Sequence, residues 1–203
     1  MKPRLKVCGV NDAAFAAEAA RLGVDCIGLV FAAKSPRRVT LSEAKAIRAA
    51  APGPRFAGVF TDTSVEVIAR IAEAVPLDIV QLHGPYGDGD MELLRRLSRP
   101  TLEVWRLLGP APGAEDAVLV DGRDGARAGG TGKLADWSLV PELKRRGLKV
   151  VLAGGLGAEN IAEALKTGAD VIDVNSSLES SPGVKSTSLL HMLINRLPTL
   201  LAK

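Results

Sequence analysis

Four side chains of this sequence carry a reactive or polar group to a place where an apolar run ends. Cys8 closes "LKVC" just ahead of Gly9, Asp121 closes "AVLVD", and Gln81 and His83 stand at the end of "LDIVQLH". A glycine after the thiol lets another group approach closely. A lone cysteine is more often an inert core filler, however, and Cys26, at the start of "DCIGLVF", is read as one. A carboxylate ending an otherwise uncharged run is costly unless it is solvated, paired or used; it is equally an ordinary loop anchor. A thiol and a carboxyl on opposite sides of one ligand would suit proton shuttling.

Two further stretches suit anions. In "LAGGLGAEN" (152–160), Gly154 and Gly155 close a strand just before a helix, and "DVNSSLE" (173–179) follows the next strand. Backbone N–H groups unobstructed by side chains bind phosphate, although a glycine pair can also be no more than a turn. "KSPRR" (34–38) is either a solvated basic loop or the source of an arginine aimed at a carboxylate, for which the guanidinium fork is suited. A second glycine loop, "AGGTG" (128–132), reads as a lid or as a connector.

Elements that would position these groups alternate along the chain. Short Val-, Ile- and Leu-rich runs at 5–8, 25–31, 55–60, 77–83, 101–108, 117–121, 148–155 and 169–177 read as eight strands. Helical periodicity fills 12–23, 41–50, 64–75, 89–97, 134–145 and 158–168, and 187–202 as the longest helix. "GPAPGAED" (109–116) is too short and proline-rich for a full helix. Such βα repeats predict an α/β protein, either a closed (β/α)8 barrel or a doubly wound open sheet. The barrel is favoured because no dinucleotide fingerprint follows the first strand. Its working face is the C-terminal end of the strands, where Phe31, Phe60, Arg106 and Asn175 to Ser177 also fall. Cys8 and Asp121 would stand three strands apart around that ring.

With 203 residues and no linker-like segment, residues 1–203 are expected to form a single domain. A net charge of +3 with interspersed acidic residues argues against a nucleic-acid partner. Two cysteines without a CxxC pair and two histidines give no metal site, and unpaired thiols fit a reducing, cytoplasmic setting. The start of the chain is too short in apolar length for a signal peptide, and no run approaches a membrane span.

Taken together, "KVCG", "IGLVFAAKSPRRV", "GVF", "VQLHG", "LVDG…GGTGK…DWSL", "LAGGL…EN" and "DV.SS.E..PGVKS" resemble, in order and across nearly the whole chain, the phosphoribosylanthranilate isomerases. The resemblance implies a (β/α)8 barrel that rearranges N-(5-phosphoribosyl)anthranilate to 1-(2-carboxyphenylamino)-1-deoxyribulose 5-phosphate in tryptophan biosynthesis, without cofactor or metal. It further implies Cys8 as general base, Asp121 as general acid and Arg37 as the clamp on the anthranilate carboxylate. Phosphate would bind at Gly154, Gly155 and the "NSS" segment, with Ser176 foremost and Ser177 beside it. Gln81 and His83 would line the mouth. Lys6, on the same strand face as Cys8, is a candidate to activate the thiol. The implied partner is a phosphorylated small molecule, and the implied state a monomer or homodimer.

Asn175 and Ser177 depart from the family pattern, where a serine and a glycine are expected. Ser177 would either crowd the phosphate or add a hydroxyl donor. Two rivals remain. A histidine-pathway isomerase would need paired aspartates at strands one and five, where Cys8 and Arg106 stand instead. A barrel that binds a phosphorylated ligand without turning it over would show no dependence on Cys8 beyond binding.

Overall fold

The computed structural model of the protein describes residues 3–108, 115–122 and 135–197. Eight parallel strands close into a ring: β1 (Arg4–Val7), β2 (Cys26–Val30), β3 (Arg55–Phe60), β4 (Ile79–Leu82), β5 (Glu103–Leu107), β6 (Ala117–Val120), β7 (Val150–Leu152) and β8 (Val171–Val174). β1 pairs with both β2 and β8, Lys6 lying opposite Cys26 on one side and Asp173 on the other. That closure leaves no sheet edge, and it excludes the doubly wound alternative. Around the ring run α1 (Ala13–Arg21), α2 (Leu41–Ala50), α3 (Val65–Ala74), α4 (Asp88–Leu97), α5 (Leu139–Arg145), α6 (Ile161–Lys166) and α7 (Thr187–Arg196). A small hairpin of β9 (Glu179–Ser181) and β10 (Val184–Lys185) follows β8.

Local signals start the helices where the sequence places them. Asp12 accepts the Phe15 N–H at 2.7 Å ahead of α1, and Thr40 and Glu43 form a reciprocal capping box ahead of α2. α7 runs over 187–196 only, shorter than the 187–202 pattern, and at 10 residues it is no longer than α2, α3 or α4. Pro198 explains the early stop, since a proline disfavours helical backbone in the residue before it and supplies no N–H. Residues 109–114, within the expected "GPAPGAED" connection, and 123–134, with the "AGGTG" loop, lie outside the described residues.

Side chains alternate across each strand, so the sheet has two apolar faces. Ile27, Leu29, Phe56, Val80, Val104 and Ile172 face the helices, while Cys26, Ala57, Ile79, Trp105, Leu119 and Val151 fill the barrel. At the N-terminal end of the strands, Glu103 accepts hydrogen bonds from Arg55 (2.7 Å), Lys149 (2.7 Å) and the Trp105 indole (2.9 Å). That charged cluster, with Trp105 buried above it, plugs the lower end. Chemistry is thereby confined to the upper end.

Candidate active site

At the C-terminal ends of the strands the barrel opens into a cavity of about 430 Å³. Cys8, Arg37, Gln81, His83, Asp121, Gly154, Gly155 and Ser176 all contribute to its wall. The strand-end rule thus brings together residues spread over nearly 170 positions of sequence. Phe31, Phe60 and Arg106 are not part of that wall. The two phenylalanines stack on each other in the outer core, and Arg106 is held by Asp88 and Glu115.

Cys8 follows β1, its N–H donating to the Val174 carbonyl at 2.8 Å, so the end of β8 fixes its backbone. The thiol sits over Gly28 of β2. A Cβ at that glycine would come within 2.8 Å of Cys8 Sγ, so a residue without a side chain is what leaves room for the sulfur. Burial pushes the Cys8 thiol up from its ordinary value, and Lys6 and Lys185 pull it back toward ionisation. Cys26, deep in the barrel, has its thiol pushed up to about 12, chiefly by burial. Cys8 lines the cavity, whereas Cys26 is enclosed in the barrel core.

Below Cys8 on the same face of β1, Lys6 is fully buried and its Nζ lies 2.5 Å from Asp173 Oδ2. Burial works to strip the Lys6 charge, but Asp173, together with Cys8 and Cys26, outweighs it and holds the ammonium above its usual range. Asp173, 6% exposed, also reaches the cavity wall. Its Oδ1 is buried and has no hydrogen-bond partner among the described residues. Burial raises the Asp173 carboxyl, Lys6 opposes the rise, and Asp121 across the cavity adds to it. Nothing in the alternation of "ADVIDVN" singles out Asp173 as polar machinery, because its partner comes from the first strand, which meets the eighth only when the ring closes.

Arg37 reaches the wall from the β2–α2 loop with its guanidinium already gripped. Nε and Nη2 donate to the two carboxylate oxygens of Glu179 at 2.7 and 2.8 Å. Lys185 on β10, fully buried at its side chain, donates to Glu179 (2.9 Å) and to the Asn175 carbonyl (2.9 Å) and amide oxygens (2.8 Å). Burial works to raise the Glu179 carboxyl, but Arg37 and Lys185 outweigh it and hold it at about 2. Glu179 and Lys185 are therefore site-supporting residues that strand-end reasoning passes over. Their only signal is the "E..PGVK" spacing, which the hairpin folds back beside β8.

Beside them lie the two anion loops. Gly154 and Gly155 have φ of +85° and +64°, and their N–H groups take no acceptor from the described residues. A Cβ on Gly154 would meet the Gly122 nitrogen and approach Asp121 Oδ1 to 2.7 Å. Asn160 fixes this loop by accepting from the Gly157 N–H and donating to the Gly155 carbonyl, each at 2.9 Å. Ser176 and Ser177 begin a 3-10 turn at 176–178. Only Ser176 reaches the cavity. The Ser177 hydroxyl turns the other way and donates to the Leu156 carbonyl at 2.6 Å, so it neither crowds the cavity nor adds a donor to it. It ties the β8 loop to the β7 loop instead. Gln81 and His83 share one face, as alternation requires, and their side-chain nitrogens are hydrogen-bonded at 2.7 Å.

A thiol, carboxylates and a held arginine converge in the mouth of this closed barrel, so the chain is a (β/α)8 barrel enzyme of acid–base type. Comparison with known proteins specifies which. The profile of N-(5'-phosphoribosyl)anthranilate (PRA) isomerase matches residues 5–196, and the chain belongs to that isomerase family. The N-(5'-phosphoribosyl)anthranilate isomerase of Pseudomonas paraeruginosa is 37% identical, over 95% of this chain and 93% of its own. The tryptophan biosynthesis protein TrpCF of Haemophilus influenzae is 34% identical over 95% of this chain, which spans 42% of that longer protein. In three dimensions, the phosphoribosyl anthranilate isomerase of Thermus thermophilus superposes with a TM-score of 0.85 at 32% identity, covering 97% of this chain and 99% of its own. Another isomerase of the family, solved in complex with reduced 1-(o-carboxyphenylamino)-1-deoxyribulose 5-phosphate, superposes with a TM-score of 0.79 at 27% identity, covering 96% and 97%.

Proposed function

We propose that this barrel isomerises N-(5'-phosphoribosyl)anthranilate to 1-(2-carboxyphenylamino)-1-deoxyribulose 5-phosphate, as the third step from chorismate to tryptophan, with Cys8 as general base and Asp121 as general acid. The observation that carries the assignment is that both groups line one cavity, between the held Arg37 and the paired glycines Gly154 and Gly155. Phosphate binds to the backbone N–H groups of Gly154 and Gly155 and of the turn at Ser176 and Ser177, where no side chain stands in the way. The anthranilate carboxylate takes the Arg37 N–H groups that Glu179 does not use. Gln81 and His83 flank the sugar.

Asp121 gives its proton to the ribose ring oxygen, the C1'–O bond breaks, and the anilino nitrogen forms a protonated Schiff base. That cation acidifies C2', and the Cys8 thiolate takes the C2' proton to leave an enolamine. Lys6 and Lys185 favour the thiolate that burial alone would suppress. C2' is oxidised as C1' is reduced within one molecule, an intramolecular oxidoreductase-type isomerisation, so the scheme requires no external oxidant or reductant and is carried by proton transfers without a metal or cofactor. We place the protein in the cytoplasm as a monomer or homodimer; among the described residues no helix is long and apolar enough to cross a membrane.

Turnover of freshly formed substrate, followed by loss of its anthranilate fluorescence, tests the reading. Cys8→Ala and Asp121→Asn should each lower kcat by about a hundredfold or more. Wild-type rates in Cys8→Ala would move the base elsewhere.

A further inference from the structure

Ring opening and C2' deprotonation leave one proton transfer without a group to perform it. The enolamine becomes a ketone only when its O2'–H bond breaks while C1' gains a proton. Cys8, having just taken the C2' proton, can return it to C1' and regain its thiolate. Something else must receive the hydroxyl proton.

We propose that Asp173 is a further catalytic residue, whose Oδ1 accepts the hydrogen bond of the substrate C2' hydroxyl and takes that proton as the enolamine collapses to the ketone. This assignment rests on the isomerase reading above and completes its proton account. Asp173 stands on β8, beside β1, and Cys8 is hydrogen-bonded to Val174, the next residue along. Both side chains reach the same cavity wall. The hydroxyl in question is carried by the carbon that Cys8 deprotonates, so a group adjoining Cys8 is where its proton must go.

The two oxygens of the carboxylate are also in different states. Oδ2 is fixed 2.5 Å from the buried Lys6 ammonium, while Oδ1 is buried with no partner among the described residues. A buried carboxylate oxygen left unsatisfied costs stability. It is retained here in a side chain that lines a cavity whose ligand brings hydroxyl donors. Lys6 is then a positioning residue: it holds Oδ2 and leaves Oδ1 as the oxygen free to pair with a ligand. Burial, which raises the Asp173 carboxyl, also brings its proton affinity closer to that of a working acid–base group.

Protons balance over the cycle. Asp121 loses one to the ring oxygen, Asp173 gains one from O2', and the C2' hydrogen moves to C1' through Cys8. Transfer from Asp173 to Asp121 through cavity water restores both carboxyls.

The full chain with Asp173→Asn, which keeps the shape and an oxygen for Lys6, is compared in D2O with wild type, Cys8→Ala and Asp121→Asn. Asp173→Asn should lower kcat about a hundredfold or more with KM within about threefold. Because deprotonation survives while ketonisation stalls, recovered substrate should gain deuterium at C2' faster than product appears. A merely structural defect would slow both steps and leave recovered substrate unlabelled, and that result, or a wild-type kcat, overturns the proposal. Wild-type turnover in Cys8→Ala would instead move the base elsewhere, and no turnover by folded wild-type protein would sink the isomerase reading beneath it. A second measurement needs only wild-type protein and stands even if Asp173→Asn does not fold. The reduced product analogue, which carries a C2' hydroxyl, should bind about tenfold or more tighter than its 2-deoxy counterpart. Equal affinities would remove Asp173 from contact with that hydroxyl.

Discussion

Arg37 and Glu179 meet as a two-pronged ion pair, with Nε–Oε1 at 2.7 Å and Nη2–Oε2 at 2.8 Å, across 142 residues of sequence. The pair fixes the guanidinium plane before any substrate arrives. Glu179→Gln keeps one oxygen but loses the charged fork, so Arg37 must be ordered by the substrate itself. KM for N-(5'-phosphoribosyl)anthranilate should rise about tenfold, with kcat changed by less than about threefold, the signature of lost uniform binding. Steady-state kinetics checks this, and a fall in kcat at constant KM would place Glu179 in the chemistry instead.

Glu103 at the plugged end makes a prediction about acid. Burial works against its charge, but Lys149, Trp105 and Arg55 outweigh it and hold the carboxyl at about 2. A carboxyl depressed on folding contributes stability that is complete above the unfolded value of about 4.3, and that is lost as pH falls through the folded one. Wild type should therefore lose stability between about pH 4.5 and pH 2, and Glu103→Gln should lose less over that window while being less stable at pH 7. Thermal melts across pH measure both, and parallel curves for the two proteins would refute the assignment.

At Gly154 backbone and site chemistry are joined. With φ at +85° an alanine would be strained, by about 1–2 kcal/mol for the left-handed backbone alone. Its methyl would also collide with the Gly122 nitrogen and crowd Asp121. Gly154→Ala should lower the melting temperature and reduce kcat on the order of a hundredfold, as expected when a catalytic group is displaced by about an ångström. Gly168→Ala serves as the comparison, since its φ is +84° but a Cβ there meets nothing within 4 Å. It should show the stability loss without the kinetic one.

The two thiols should react differently. Cys8 lines the cavity, whereas Cys26 is enclosed in the barrel with its thiol pushed up to about 12. Iodoacetamide should label Cys8 alone in the folded protein, faster as pH rises because the raised thiol ionises only at the alkaline side. The reduced product analogue should block it. Peptide mass mapping reads the outcome, and equal labelling of Cys26 would mean that the barrel interior opens.

What could be read from residues alone follows from what is local. Cys8, Asp121 and Gly154–Gly155 were legible because each ends a strand and the strand ends gather around one mouth; Phe31 and Phe60 also end strands, but pack in the outer core. α2 was legible to the residue because its helical period is local and begins and ends where the helix does, at Leu41 and Ala50. Asp173 was not, since its meaning arises from the pairing of β8 with β1, a contact spanning 167 residues. Glu179 and Lys185 needed a hairpin to bring them beside Arg37. Ser177 was placed in the right turn, but the rotation of its hydroxyl toward Leu156 is set by packing between two loops, which spacing does not encode.

The cluster of Arg55, Glu103, Lys149 and Trp105 has a consequence for traffic. With its floor sealed, the barrel is a blind cup rather than a tunnel, and whatever enters must back out through the same rim. Product and substrate therefore compete for one doorway, and each turnover ends only when the ketone has cleared it.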